Sequence, residues 1–266
     1  MQSVVDEKLF AALMGDMTPK FLATKDAVGT PNVVPIISIR PHDRTTLIFG
    51  NFLMWKTEKN LAANPQVSVT VFTEALFGAT IRGVFKGFQK VGEYVDEINS
   101  SPMLRYNAYM GVRSAGSIAV CDISPCFRLT KAQMLGWNLR SKVHTAWGRR
   151  YTRGKSMLHP VMAEKFSRIA AVKVIAFIDT DGYPYAVPVV ALNPVAKDVL
   201  VFSKPPMNEY MRDLRPEARI AACVITTEPV AFQVKGTYTS IDEKWGAILV
   251  DASFHASPPF VGKQIA

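Results

Sequence analysis

A repeat runs through this chain. Asp26-Ala27-Val28-Gly29-Thr30-Pro31-Asn32-Val33-Val34-Pro35 is echoed by Asp179-Thr180-Asp181-Gly182-Tyr183-Pro184-Tyr185-Ala186-Val187-Pro188. Leu47-Ile48-Phe49 returns as Leu200-Val201-Phe202, Asn64-Pro65 as Arg215-Pro216, and Ile81-Arg82-Gly83 as Val234-Lys235-Gly236. The ends agree too: Gly116-Ser117-Ile118-Ala119-Val120 resembles Gly246-Ala247-Ile248-Leu249-Val250. Five matches in one order predict a tandem duplication. Whatever one copy folds into, the other is expected to fold into as well.

The first copy reads as short strands with few helices. Residues 3–14 carry Val5, Leu9, Phe10 and Leu13 at helical spacing. Phe21 to Thr24, Asn32 to Ile39, Thr45 to Phe49, Val67 to Phe72 and Ala79 to Gln89 are apolar or β-branched runs separated by turn residues. Pro35 inside the second run requires an edge or a bulge. Ser101-Pro102 predicts the start of another helix, and Ser117 to Val120 a last strand. Hairpin-like connections of this kind suggest a small β-barrel. The chain of 266 residues is long enough for two cores. The expected division is a first unit over 1–127, a basic helical connector over 128–158 and a second unit over 159–266.

Charge is distributed unevenly. Between 128 and 168 ten basic residues face one acid, Glu164, so this segment carries the whole net charge of +9. Leu135, Leu139, Val143, Trp147 and Tyr151 stand at steps of four, which predicts a connector helix packed on a barrel with a wet basic back. A basic face also suits nucleic acid or an anionic substrate, but the aromatics here fall on the stripe instead of being interleaved for base stacking. No apolar run is long enough to span a bilayer, so a membrane is not an expected partner. The N-terminus lacks a signal-peptide pattern, and a cytoplasmic protein is expected. Cys121, Cys126 and Cys223 form no C-x-x-C pair, and buried reduced thiols are the default. The four histidines are scattered, so no metal site is expected.

One stretch breaks the symmetry of the copies. Gly50 to Pro65 leaves an apolar run, turns, and enters a short helix for which Thr57 is the expected N-cap and Asn64-Pro65 the stop. Lys56 beside that helix start gives an ammonium, unpaired N–H groups and the positive end of a helix dipole, which together suit an anion. A capped surface helix with a solvated lysine is the bland alternative. The second copy is two residues shorter here and sets Met207 and Asn208 opposite Lys56 and Thr57. The anion motif belongs to one copy.

Phe21-Leu22-Ala23-Thr24, Gly29 to Ile36, Leu47 to Gly50, Lys56-Thr57, Asn60-Leu61, Asn64-Pro65 and Ile81-Arg82-Gly83 together resemble the flavin-binding split-barrel superfamily, whose best-known member is pyridoxamine 5'-phosphate oxidase. The resemblance covers most of 3–123 and, more weakly, 160–255. It implies a mainly β fold with flanking helices, two tandem split β-barrel units forming a pseudo-dimer, and FMN in the groove between them. It further implies that Lys56 and Thr57 hold the FMN phosphate and that the strand of Val33, Val34 and Pro35 edges the flavin ring. Gly50, Asn51 and Trp55 would lie on the adjoining turn, with Gln233 on the opposite wall. A buried β-branched strand is the bland reading of Val33 and Val34.

The C-terminus, Ser257 to Lys263, lacks the Trp- and Arg-bearing segment that pyridoxamine 5'-phosphate oxidase uses, so the vitamin B6 reaction is not expected. The leading expectation is an FMN-dependent oxidoreductase whose partner is a small-molecule electron donor or acceptor such as NAD(P)H. A non-catalytic FMN carrier or electron-transfer module is the alternative. A degenerate scaffold that binds haem, or nucleic acid through its connector, is a third. A further homodimer is left open.

Overall fold

The computed structural model describes residues 4–102, 111–228 and 230–266. The helix expected after Pro102 falls outside these residues. The first unit runs α1 (Glu7–Met14), β1 (Lys20–Lys25), β2 (Pro31–Pro35), β3 (Arg40–Pro41), β4 (Thr46–Gly50), α2 (Trp55–Ala63), β5 (Gln66–Phe72), β6 (Phe77–Gln89), α3 (Glu93–Ser100), β7 (Ala115–Ile123) and β8 (Phe127–Arg128). After α4 (Lys131–Arg149) come α5 (Pro160–Ser167), β9 (Val172–Ile178), β10 (Pro184–Pro188), β11 (Leu192–Ala196), β12 (Val199–Ser203), a 3₁₀ turn at Asn208–Met211, β13 (Arg219–Ile225), β14 (Ala231–Ser240) and β15 (Trp245–His255).

These strands form two antiparallel sheets, ordered β2-β1-β5-β6-β7-β4-β3 with β8 on β6, and β10-β9-β13-β14-β15-β12-β11. The two orders are the same order written twice, and α1 and α5 each precede the first strand of their sheet. The fold is mainly β, with two split-barrel units. Pro35 sits on β2, at the end of the first sheet, where its missing N–H breaks no ladder.

Strand alternation sorts side chains between two barrel cores and one seam. Leu22, Val67, Val69, Val71 and Ile81 fill the first barrel, and Ile175, Phe177, Ala222, Val224 and Val234 the second. The intervening positions Phe21, Ala23 and Val33 meet Val174, Ala176, Ala186, Ala221 and Cys223 across the seam. Most of the second unit's seam residues are small, which lets two sheet faces approach closely. Polar contacts across the seam are reciprocal: Thr80 Oγ1 donates to Ala186 O at 2.8 Å, and at the repeated positions Gln233 Nε2 donates to Val33 O. That exchange is what an isologous pairing of like units produces.

Helix α4 differs from its sequence expectation. Thr130 and Gln133 form a capping box at its start. Its inner face then carries Asn138 and Ser141 beside Met134 and Trp137, while Leu135, Leu139 and Trp147 of the expected packing stripe are 51%, 54% and 57% exposed. The side chain of Val143 lies outside the described residues, and Tyr151 is half-buried beside Val195 and Val199. The second barrel's surface explains the inversion. Asn138 Nδ2 donates to Val190 O at 2.9 Å, and Asn193 Nδ2 donates to Ser141 Oγ at 2.6 Å. At Gly148 a Cβ would stand 2.6 Å from Val201 Cγ2 and 2.7 Å from Val195 Cγ2, so only glycine allows this approach. Gly148→Ala is expected to destabilise the fold by roughly 1–3 kcal/mol despite its better helix propensity, measured as a lower urea midpoint.

The thiols also depart from expectation, since Cys121 and Cys126 are exposed and only Cys223 is buried. Among the described residues no helix is long and apolar enough to cross a membrane.

Candidate functional site

Where β4 runs out, glycine is needed for close approach. A Cβ on Gly50 would lie 2.6 Å from both the Phe52 ring and Val112 Cγ1, and the Gly50 N–H donates to Ser38 Oγ at 3.1 Å. Asn51 then ties the turn to β7. Its N–H donates to Ser114 O at 2.9 Å, and its amide Nδ2 to Ser114 Oγ at 3.1 Å and to the Glu58 carboxylate. Both residues shape the turn, and the N–H donors of Asn51 are already engaged.

Helix α2 begins three residues earlier than the sequence suggested. Met54, not Thr57, is the N-cap, and no side chain caps the helix. Met54 is buried in the first core at 7% exposure, so the chain bends into the helix there and carries Lys56 and Thr57 into the first turn. Early N–H groups of an uncapped helix lack intrahelical acceptors, and the dipole's positive end lies among them. Asn60 Nδ2 to Thr24 Oγ1 and Asn64 Nδ2 to Asp26 O, both 2.9 Å, fix the helix against the first sheet.

The start of α2 faces the other unit. Lys56 Nζ stands 4.0 Å from the centroid of Phe254, on β15. Gln233 pairs with Phe254 in register, and Lys235 follows two residues along β14 on the same strand face. Lys235 is 6% exposed. Burial pushes its amine down to about 7, helped by the positive charge of Lys56 and opposed by Asp26. Lys56 is also held below its ordinary value, chiefly by burial. Arg219 adds positive potential but is paired with Asp251. Asp26 spends Oδ1 on the N–H groups of Val28 and Thr30. Two crowded lysines and an uncapped helix start therefore share one place, without a carboxylate in ion-pair contact with either lysine among the described residues.

The repeated position shows what a filled version looks like. Arg82 occupies the place of Lys235 and Asp179 that of Asp26. Arg82 Nη2 lies 2.8 Å from Asp179 Oδ2, and Nη1 lies 3.0 Å from Asp181 and 3.9 Å from Asp122. The Tyr185 ring stacks at 5.3 Å. The Asp179 carboxyl is raised by burial, with Arg82 opposing the rise. Protein carboxylates neutralise this cation, and only a 3₁₀ turn at Asn208–Met211 stands where α2 would be. The two halves of the seam are chemically unequal.

The remaining sequence candidates divide. The Val33 side chain is fully buried in the seam and its carbonyl accepts from Gln233, so both serve the unit contact. Val34 and Pro35 are half-buried. Because Ile36 N–H donates to Lys20 O at 2.8 Å, the alternate residues Val33 and Pro35 turn their backbone groups away from β1, and of these the Val33 carbonyl is already taken by Gln233. Trp55 is 60% exposed with the Arg113 guanidinium 5.8 Å from its ring. The Asn32 amide is buried with neither polar atom hydrogen-bonded, beside Thr24 in the β1–β2 register. Sequence reasoning missed Lys235, Asn32 and Phe254. Lys235 was within reach, since it repeats Arg82 and shares a strand face with Gln233; Phe254 carried no motif.

Residues 8–120 match the family model described as pyridoxamine 5'-phosphate oxidase. The match spans most of the first unit and less than half of the chain. Similar solved structures include HupZ of Group A Streptococcus, at 21% identity over 48% of this chain and 95% of that one, with a TM-score of 0.39. An FMN-binding protein of Syntrophomonas wolfei is 17% identical over 47% of this chain and 87% of its own, with a TM-score of 0.40. A FAD-binding protein of Mesorhizobium loti is 16% identical over 46% and 95%, with a TM-score of 0.32. A search of curated proteins found no match.

Proposed function

We propose that this protein binds one FMN per chain at the seam and is an FMN-dependent oxidoreductase that exchanges electrons with a small molecule such as NAD(P)H. The observation that carries the reading is the Lys56–Lys235 pair at the uncapped start of α2, against a repeated position whose cation is met by carboxylates. A flavin phosphate is a dianion with several acceptor oxygens, and it satisfies both lysines and early helical N–H groups at once. The donor set fits the group. Lys56 and Lys235 would hold its charge, the first turn around Thr57 would give backbone donors, and the Val33 and Pro35 edge would meet polar atoms of a ring. Phe254 and the seam residues would exclude water.

Bound flavin supplies hydride and single-electron chemistry, and the protein's part is to bind, orient and shield it. The match of residues 8–120 to the pyridoxamine 5'-phosphate oxidase family model supports this reading. So does a tandem duplication in which one copy kept the cradle and the other closed it.

A non-catalytic FMN carrier is the second reading. The specific point in its favour is that Val33 to Pro35 offers a ring edge only backbone and apolar groups, with no His, Asp or Glu. Titration of the purified chain with FMN is expected to saturate at one per chain. Two per chain would sink the unequal-halves reading, and none would sink both. Anaerobic bleaching by NADH or NADPH, with turnover once an acceptor is added, supports the enzyme; an unbleached bound flavin supports the carrier.

A further inference from the structure

Helix α4 turns an apolar ridge outward, although Met134 and Trp137 pack inward against the second barrel. At about 100° per residue, Ala132, Leu135, Leu139 and Trp147 fall on the side opposite the buried Asn138, Ser141 and Gly148. All four are exposed. Lys131 and Arg149 line one flank of this ridge and Arg140 the other, and the helix contains no Asp or Glu. Arg150, just past the helix, places its guanidinium 4.6 Å from the Trp147 ring. The ridge does not end at the helix. Leu135 borders a cleft of about 810 Å³ whose lining also includes Met17 and Ile169, themselves 70% and 42% exposed.

We infer that the outer face of α4 seats this protein on an anionic membrane surface, lying in the plane of the interface. An apolar ridge containing Trp and Leu between cationic flanks matches the two layers of such a surface: acyl boundary for the ridge, anionic head groups for the Lys and Arg. The segment of ten basic residues against one acid that contains this helix supplies the charge complementarity. A second copy fits less well, because a twofold contact through this face sets its own cationic flanks together. Nucleic acid fits less well too, since phosphates would meet Leu135 and Leu139 at the centre of the face. The cleft beside Leu135 extends the apolar footprint beyond the helix, where Met17 and Ile169 add to it.

Flotation with phosphatidylcholine vesicles, alone and with about a quarter phosphatidylglycerol, tests this. The full chain is expected to bind only the anionic vesicles, and raised salt should weaken that binding. Leu139→Asp should weaken it at least about tenfold, as should the pair Lys131→Glu and Arg140→Glu, which keeps the ridge intact. These positions point to solvent, so circular dichroism should report an unchanged fold. No binding to anionic vesicles, equal binding to neutral ones, or indifference to both variants overturns the inference. So does a concentration-dependent dimer that Leu139→Asp dissociates, which would give the face to a second copy.

Discussion

Replacing Lys56 and Lys235 together by alanine is expected to weaken FMN binding by two to three orders of magnitude, read by quenching of flavin fluorescence. A hydrogen bond to a charged group contributes about 1.5–3 kcal/mol, or roughly 10- to 150-fold in affinity. The two losses should not simply add. In the free protein each ammonium is disfavoured by burial and Lys235 also by its neighbour's charge, so either single variant relieves the survivor. Each single alanine is therefore expected near tenfold, with the larger loss in the double variant. Stability should move the other way: removing one of two crowded cations raises the melting temperature of the flavin-free protein while lowering its affinity. Opposite signs of this kind mark a site kept for a ligand instead of for folding. A double variant whose dissociation constant stays within about threefold of the original would remove the phosphate from this place.

The fold was legible because strand propensity and repetition agree. Asp26 to Pro35 and its echo at Asp179 to Pro188 became β2 and β10 with their preceding turns, and each strand ends its own sheet. The helix start was less legible by three residues, because burial of Met54 outweighed the capping preference of Thr57. The orientation of α4 was misread for a related reason. Its apolar stripe is real, but periodicity identifies two sides of a helix without saying which one meets the protein. Three polar or small positions settled it, Asn138, Ser141 and Gly148, through partners on β11, on β12 and at Val190 that lie over forty residues away in the chain. The cradle was half legible. Lys56 stood in a motif, while Lys235 meets it only because two sheets pair across the seam, and a pairing of that kind is written in no local window.

Proton linkage gives the second large effect. In the free protein Lys235 titrates at about 7, well below a lysine in water, mainly through burial and then through the charge of Lys56. A bound phosphate dianion restores the charged form, so above pH 7 each binding event must take up a proton at Lys235. Affinity is then expected to fall about tenfold per pH unit from roughly 7 upward, reaching about a hundredfold by pH 9. Below pH 7 the lysine is already charged and the dependence flattens, until the phosphate itself takes up a proton near pH 6. The flavin-free protein has the reverse slope. A lysine whose folded pKa lies below its unfolded one binds fewer protons when folded between the two values, so stability rises with pH from about 7 towards 10.5. Lys20 and Lys173, lowered by burial to about 8 and about 7, act with the same sign on stability, which makes the difference between wild type and Lys235→Met the quantity to measure. Lys235→Arg keeps a permanent charge and should bind FMN with little dependence on pH from 7 to 9. Equal pH slopes in wild type and Lys235→Arg would mean that Lys235 never meets the phosphate, whatever Lys56 does.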